Sequence, residues 1–558
     1  MSDLSLDSAK TRTRRPWTGD GWAWLSVAVA AVIALPLVSV ASALLQPSPT
    51  TWTHLATTVL PAYVRSTIWL AVGVSLVTAV IGVSTAWLVV ACRFPGRGLF
   101  AWALILPLAV PSYVLAYVYY DFLAFSGPVQ TLLRDVTGLG PREYWFPRLS
   151  SIGGAVFVLA MALYPYVYLA ARAAFLQQSG ATIEASRTLG CTPLQAFWRI
   201  ALPLARPGIV VGMSLAIMET LADFGAVSLL GVQTFTTGIY RAWFSMGDRI
   251  AAGQLAAMLL GFVALALLLE RTGRRRASFT DSGAGHHTAI CFELRGLRAW
   301  AAVLACALPI VLGFVLPGWL LLKLFASEGL ASLGTQFTEL ALNSLLLGLA
   351  TAFIAVTLGL FMVYGAHRST YAVPRTANRL AALGYAIPGP VIAVGTLVPL
   401  ATFDNALDAW LRASFGISSG LLLTGSIAAL IYAYLVRFMT VSIGGIEAGF
   451  TKLKPNLDDA ASALGAPGLE RLFRVHVPLL WPALATAGLM VFVDVMKELP
   501  ATLVLRPFDF NTLAVRTFNL ARDERLSEAA GPALALVAVG LLPVLVLSRS
   551  IMRTGRKA

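Results

Sequence analysis

Two pairs of carboxylates stand inside runs that are otherwise apolar. Glu219 and Asp223 are four residues apart, and Asp494 and Glu498 repeat that spacing. Four residues is close to one helical turn, so each pair falls on one face of a helix. Counted from Pro207 and Pro482 at about 1.5 Å per residue, the acids lie roughly 18–24 Å into a membrane. Ionisable groups at such depth are costly and usually face a pathway or a partner. Carboxylate oxygens suit hard, highly charged cations. They also suit organic cations such as thiamine or a polyamine, and suit a bare phosphonate poorly. Two other roles stay open: capping broken helices or pairing with Lys497, Arg241 or Arg506, and contact with an external binding protein. Gly225 and Pro500 occupy matched positions just beyond the pairs, which supports a helix break there.

The elements that must carry these acids are membrane spans. Of 558 residues, 58% are hydrophobic and only 12% charged, against about 25% charged in ordinary soluble domains. Apolar runs near the length needed to cross a bilayer recur along the chain. Twelve are expected, the third over 99–125, the fifth over 206–232, the ninth over 378–402 and the eleventh over 482–506. The expected fold class is therefore an all-α polytopic membrane protein. The net charge of +14 does not point to nucleic acid. The basic residues gather in short loops, among them Arg93 and Arg97, the run Arg274-Arg275-Arg276, and Arg553, Arg556 and Lys557. That placement predicts both termini in the cytoplasm of a bacterial inner membrane, with lipid as the surrounding partner.

The chain also reads as two copies of one unit. Gly82 matches Gly359 and Pro111 matches Pro388, both at a spacing of 277, while Tyr166 matches Tyr434 at 268 and Asp223 matches Glu498 at 275. The expected organisation is a tail and first span over 1–59, a first repeat over 60–270 and a cytosolic linker over 271–298. A further span over 299–337 and a second repeat over 338–558 follow. Six spans per half leave the copies in the same orientation, so the repeat is parallel and the pathway is expected between the halves.

The strongest repeated segment is polar. Glu184-Ala185-Ser186 with Gly190 recurs as Asp459-Ala460-Ala461 with Gly465, and Ile200-Ala201-Leu202-Pro203 recurs as Val475-His476-Val477-Pro478. Each copy predicts a short helix, a glycine turn and a second helix in a cytosolic loop. An amphipathic helix lying on the membrane is the plainer reading of one copy. The paired segments resemble the EAA loop of ABC-importer permeases, despite departures at Ser186, at Asp459 and at the two valines. That resemblance implies a docking surface for two copies of a separate ABC ATPase. Glu184, Ala185, Gly190, Asp459, Ala460 and Gly465 would make the coupling contacts. The chain has no Gly-Lys pair and hence no phosphate-binding loop of its own. It is expected to be a transport subunit, not an enzyme, and to carry no cofactor.

Within those importers the chain resembles the fused ferric-iron (Fbp-type) permeases. The resemblance rests on Leu106-Pro107-Leu108-Ala109-Val110-Pro111, Tyr164-Pro165-Tyr166, Glu219-Thr220-Leu221-Ala222-Asp223-Phe224-Gly225 and Lys497-Glu498-Leu499-Pro500. It implies a periplasmic ferric-iron-binding protein as partner, and Glu219, Asp223, Asp494 and Glu498 as pathway residues. Thiamine, polyamine and phosphonate importers share the architecture, and an ion-coupled secondary transporter is the alternative of another class. Tyr113, Tyr117, Tyr164 and Tyr166 carry phenolic oxygens but are more often packing residues. His54, His286, His287, His367 and His476 show no ligand spacing within a span, and metal ligands stay unassigned.

Overall fold

In a computed structural model of the chain, the residues described are 21–555, excepting 47–48, 141–142, 179–187, 189, 276–291, 329–335, 370, 455, 464 and 466–467. Hydrocarbon offers backbone N–H and C=O groups no partners, so a long apolar run must close its hydrogen bonds within a helix. Eleven helices among the described residues are long and apolar enough to cross a membrane, and a bent pair makes the twelfth. Numbered in chain order, spans 1 and 2 are Gly21–Ala43 and Leu60–Ala91, and span 4 is Ile152–Leu176. Spans 5 to 8 are Leu194–Ala222, Arg249–Thr272, Leu297–Ser327 and Phe337–Arg368. Spans 9 to 12 are Gly389–Phe415, Ile427–Phe450, Gly468–Lys497 and Leu526–Val546.

Four spans depart from the smooth runs expected of them. The third is not continuous over 99–125. Arg97–Ala109 and Ser112–Thr137 meet at 89°. Pro111 stands in extended backbone at the bend, after a 3-10 turn over Leu106–Ala109. Pro388 does the same before span 9, after the 3-10 turn Gly384–Ala386. Proline has no N–H to continue a ladder and disfavours helical backbone in the residue before it, so the chain turns at both matched sites. Spans 5 and 11 start earlier and stop earlier than 206–232 and 482–506. Pro203 and Pro478 lie inside continuous helices. Each follows a π-helical turn, Phe197–Ala201 and Leu472–His476, whose wider winding accommodates the missing N–H.

The two halves repeat their packing. A Cβ at Gly82 in span 2 would come within 2.8 Å of the Tyr168 nitrogen and of Val167 in span 4. A Cβ at the matched Gly359 would come within 2.5 Å of the Ser442 hydroxyl and 3.2 Å of Ile446. Both glycines let span pairs 2/4 and 8/10 approach closely.

The leading span of each half is exchanged. Span 1 lies on the second half, where Trp22 meets the Tyr364 ring edge-on at 5.2 Å and Tyr432 donates to the Val32 carbonyl at 2.5 Å. Span 7 lies on the first half, where Tyr119 donates to the Leu312 carbonyl at 2.6 Å. A two-residue parallel bridge pairs Cys92 with Phe292 and Arg93 with Glu293, tying the approach to span 7 to the loop after span 2.

The close crossing at Gly82 gives a test. Gly82→Val overpacks it and is expected to cost about 1–3 kcal/mol, read as a lowered thermal unfolding midpoint of the purified protein. Gly98→Val, where a Cβ meets nothing within 4 Å, is expected to leave the midpoint in place.

Candidate functional site

Spans 5 and 11 end at Ala222 and Lys497, and the next residue in each is an acid in extended backbone, Asp223 and Glu498. A short helix follows each, Gly225–Leu229 and Pro500–Leu505. The first N–H groups of a helix have no internal partners, and here the two carboxylates supply them. Asp223 Oδ1 accepts from the Ala226 and Val227 nitrogens at 3.0 and 3.1 Å, and its Oδ2 accepts from the Ser112 hydroxyl at 2.5 Å. Glu498 Oε1 accepts from the Ala501 nitrogen at 2.9 Å, and Oε2 accepts from the Thr502 nitrogen at 3.0 Å. The Thr502 hydroxyl lies 2.6 Å from the same Oε2.

One turn earlier, Glu219 and Asp494 carry no such duty. All four acids line one cavity of about 420 Å³ between the halves, walled by spans 3, 4, 5, 10, 11 and 12. The structure thus brings the four predicted residues together but divides them. Asp223 and Glu498 bind the broken helix ends, one of the roles left open above. Glu219 and Asp494 lie within electrostatic reach of each other. Of the proposed basic partners, Lys497 lines the cavity and donates to the Leu108 carbonyl at 2.9 Å. Arg241 and Arg506 do not line it; Arg506 donates to the Phe510 carbonyl at 3.2 Å.

Arg437 and Tyr385 also line the cavity and were not anticipated. Arg437 Nη1 donates to Glu498 Oε1 at 3.3 Å, and Nη2 lies 3.9 Å from Glu219 Oε2. Tyr385 lies beside Tyr166, near both Glu219 and Asp494. An arginine inside the apolar run over 418–448 was the available signal for the first of these. Among the four tyrosines singled out, Tyr113 and Tyr166 line the cavity, and Tyr117 and Tyr164 do not. The Tyr113 hydroxyl is buried without a hydrogen-bond partner. Among the described residues, no three of His, Cys, Asp and Glu converge to hold a metal ion.

In the repeated polar loops, Glu184 and Ala185 lie outside the described residues. Gly190 and Gly465 both adopt left-handed backbone, with φ of 81° and 77°, and a Cβ at either would meet nothing within 4 Å. The second loop forms the expected helix, Asn456–Ala463, which carries Asp459 and an exposed Ala460. Its neighbour Asp458 does unforeseen work. Asp458 Oδ1 lies 2.9 Å from His476 Nε2, and Oδ2 lies 2.9 Å from His367 Nε2. Arg471 approaches to 3.8 Å. Burial opposes ionisation of Asp458, yet the hydrogen bonds from both histidines outweigh it and hold the carboxyl below the usual carboxylate range. The loop helix is thereby tied to the ends of spans 8 and 11. The first copy has Ile183 and Ala201 at the positions of Asp458 and His476.

Residues 78–274 match the profile of the family described as binding-protein-dependent transport system inner membrane component. Over 495 residues the chain is 24% identical to the "Fe(3+)-transport system permease protein FbpB 2" of Haemophilus influenzae, covering 87% of this chain and 89% of that one. It is 32% identical over 206 residues to the "Molybdenum transport system permease protein ModB" of Escherichia coli, covering 35% of this chain and 87% of that one. It is 24% identical over 273 residues to the "Putative 2-aminoethylphosphonate transport system permease protein PhnV" of Salmonella typhimurium, covering 47% and 97%.

The Asp458 cluster predicts unequal loops. Asp458→Ala removes charge-assisted hydrogen bonds worth about 1.5–3 kcal/mol. Amide exchange is expected to speed up over 456–463 and to stay unchanged over 193–201; equal acceleration at both would remove the cluster's local role.

Proposed function

We propose, because the chain belongs to the family of binding-protein-dependent transport system inner membrane components, that it conducts ferric iron inward between its two halves. The chain is a multi-pass ABC-importer permease of the inner membrane, and its family implies an ATPase and a substrate-binding protein as partners. The observation that carries the ferric reading is the charge of the shared cavity. Four carboxylates, two from each half, face two cationic side chains, Arg437 and Lys497. With all six ionised the lining carries two net negative charges. Hard trivalent cations prefer oxygen ligands, and Glu219 and Asp494 offer carboxylate oxygens beside the phenols of Tyr166 and Tyr385. One relative that matches along most of the chain is named for Fe(3+) transport. An oxyanion would meet four carboxylates, while both cations are already engaged, Arg437 by Glu498 and Lys497 by a carbonyl.

In this reading Glu219 and Asp494 act as a pair, one from each half, so relative movement of the halves changes their separation and hence the grip on the cargo. Movement comes from two copies of the ATPase. One docks at Glu184, Ala185 and Gly190, the other at Asp459, Ala460 and Gly465. Both termini and both loops face the cytoplasm, and a periplasmic ferric-binding protein delivers cargo at the other side. Left-handed backbone at Gly190 and Gly465 supports the loop assignment, because it turns the helix in a way a side chain resists by about 1–2 kcal/mol.

Two experiments check this. Glu219→Gln with Asp494→Asn is expected to lower radioactive ferric-iron uptake by at least about tenfold, the equivalent of ~1.4 kcal/mol, at unchanged membrane abundance. Undiminished uptake would sink the pathway role of these acids. Gly190→Val with Gly465→Val is expected to abolish co-purification with the ATPase, and retained binding together with retained uptake would refute the docking assignment.

A further inference from the structure

Arg437 has no mate in the duplicated chain. Spans 4 and 10 superpose through their N-cap serines, Ser151 and Ser426, and through the matched close contacts of Gly208 with Ala174 and of Gly449 with Ala483. That register lies two turns away from the one that pairs Tyr166 with Tyr434. It puts Ala162 at the position of Arg437 in the first half, and both residues line the cavity. Arg437 is 9% exposed, in the middle of span 10. One nitrogen donates to Glu498 of its own half at 3.3 Å, and another lies 3.9 Å from Glu219 of the other half. The third, Nε, is buried without a hydrogen-bond partner. A single guanidinium therefore spans the seam between the halves.

The broken helices do not require it. Asp223 caps its helix in the first half with an alanine, Ala162, where Arg437 would be. Glu498 already accepts from two backbone nitrogens. Nor is stability an adequate reason, since a buried ion pair is often no better than apolar packing of the same volume. What the guanidinium does uniquely is place one positive charge against acids of both halves, inside the space cargo would occupy.

We infer that Arg437 is a specificity-determining residue, a tethered counter-cation that competes with cargo for Glu219 and Glu498 and so selects against monovalent cations. The inference rests on the cation reading above and deepens it. A monovalent cation offers these acids no more charge than the guanidinium already there, and it arrives without the tether. A di- or trivalent cation offers two or three times the Coulombic attraction at the same distance. The Arg437 side chain then moves off Glu219 while Glu498 keeps its helix-capping bonds. Once the cargo leaves, Arg437 returns to the acids and opposes rebinding.

The purified full-length chain in nanodiscs provides the test, with terbium(III) as a hard trivalent probe. Tyr113, Tyr166 and Tyr385 line the cavity and would sensitise its luminescence. Arg437→Leu, which removes the charge and leaves an apolar side chain, is expected to bind terbium at least about tenfold more tightly than the unsubstituted chain, a gain of ~1.4 kcal/mol. Sodium or thiamine is expected to compete measurably in Arg437→Leu and not in the unsubstituted chain. Arg437→Lys is expected to restore the unsubstituted affinity. Adding Glu219→Gln to Arg437→Leu is expected to remove the gain. Unchanged terbium affinity and unchanged valence selectivity in Arg437→Leu would overturn the inference. If that variant does not fold, Arg437→Leu with Glu498→Gln deletes both charges of the pair, keeps the net charge of the lining and leaves an oxygen to cap the helix. Competition by sodium or thiamine in this variant supports the inference, and retained valence selectivity overturns it. The cation reading itself stands or falls on iron uptake by the Glu219→Gln, Asp494→Asn variant, so the two failures are distinguishable.

Discussion

A helix cannot stop inside a membrane unless something satisfies its loose backbone groups, and that constraint organises the centre of this protein. An unpaired N–H in an apolar medium costs several kcal/mol. Spans 5 and 11 nonetheless end short of the next helical segments, and Asp223 and Glu498 meet the N–H groups that the breaks release. Each carboxylate is stabilised by those donors, so burial of the acid and breakage of the helix support one another. The break in turn carries the chain along the cavity wall, where Phe224 stacks on Tyr240 at 3.7 Å and Tyr240 reaches the Pro500 carbonyl of the other half. The seam between halves is thus built from the same two interruptions that place the acids.

Much of this was legible in the chain itself, for identifiable reasons. The helical fold followed from the length and apolarity of the runs, and the duplication from matched residues such as Gly82 and Gly359, which do sit at equivalent close crossings. The acids stood out because they are rare and paired. The positions of the breaks were less legible. Residues 226–232 are nearly as apolar as the span before them, so hydropathy runs on past Ala222 although the backbone does not. The starts at 206 and 482 erred in the opposite direction, since π-helical turns let the helices begin earlier and pass through Pro203 and Pro478.

Arg437 and the Asp458 cluster were missed for another reason. A search for residues present twice passes over residues present once. Arg437 answers to Ala162, and His476 to Ala201. His367 and His476 lie 109 positions apart, and only the packing of span 8 against span 11 brings both to Asp458. Polar groups of this kind become informative when the fold shows which of them share a wall.

Both unmatched features belong to the second half, and fusion of the halves explains what that permits. A permease made of two identical chains must repeat every cavity residue. Two copies of the first half would present four acids with no cation, since Ala162 and Ala222 stand where Arg437 and Lys497 would be. That lining would repel itself strongly at low dielectric. Two copies of the second half would present four acids and four cations, a neutral lining with no net attraction for a positive cargo. The fused chain reaches the intermediate condition, with acids from both halves and cations from one. Its single arginine can lie across the seam because no second copy competes for the same acids. In a duplicated protein, then, the matched residues define the shared cavity, and the unmatched ones are free to set its charge.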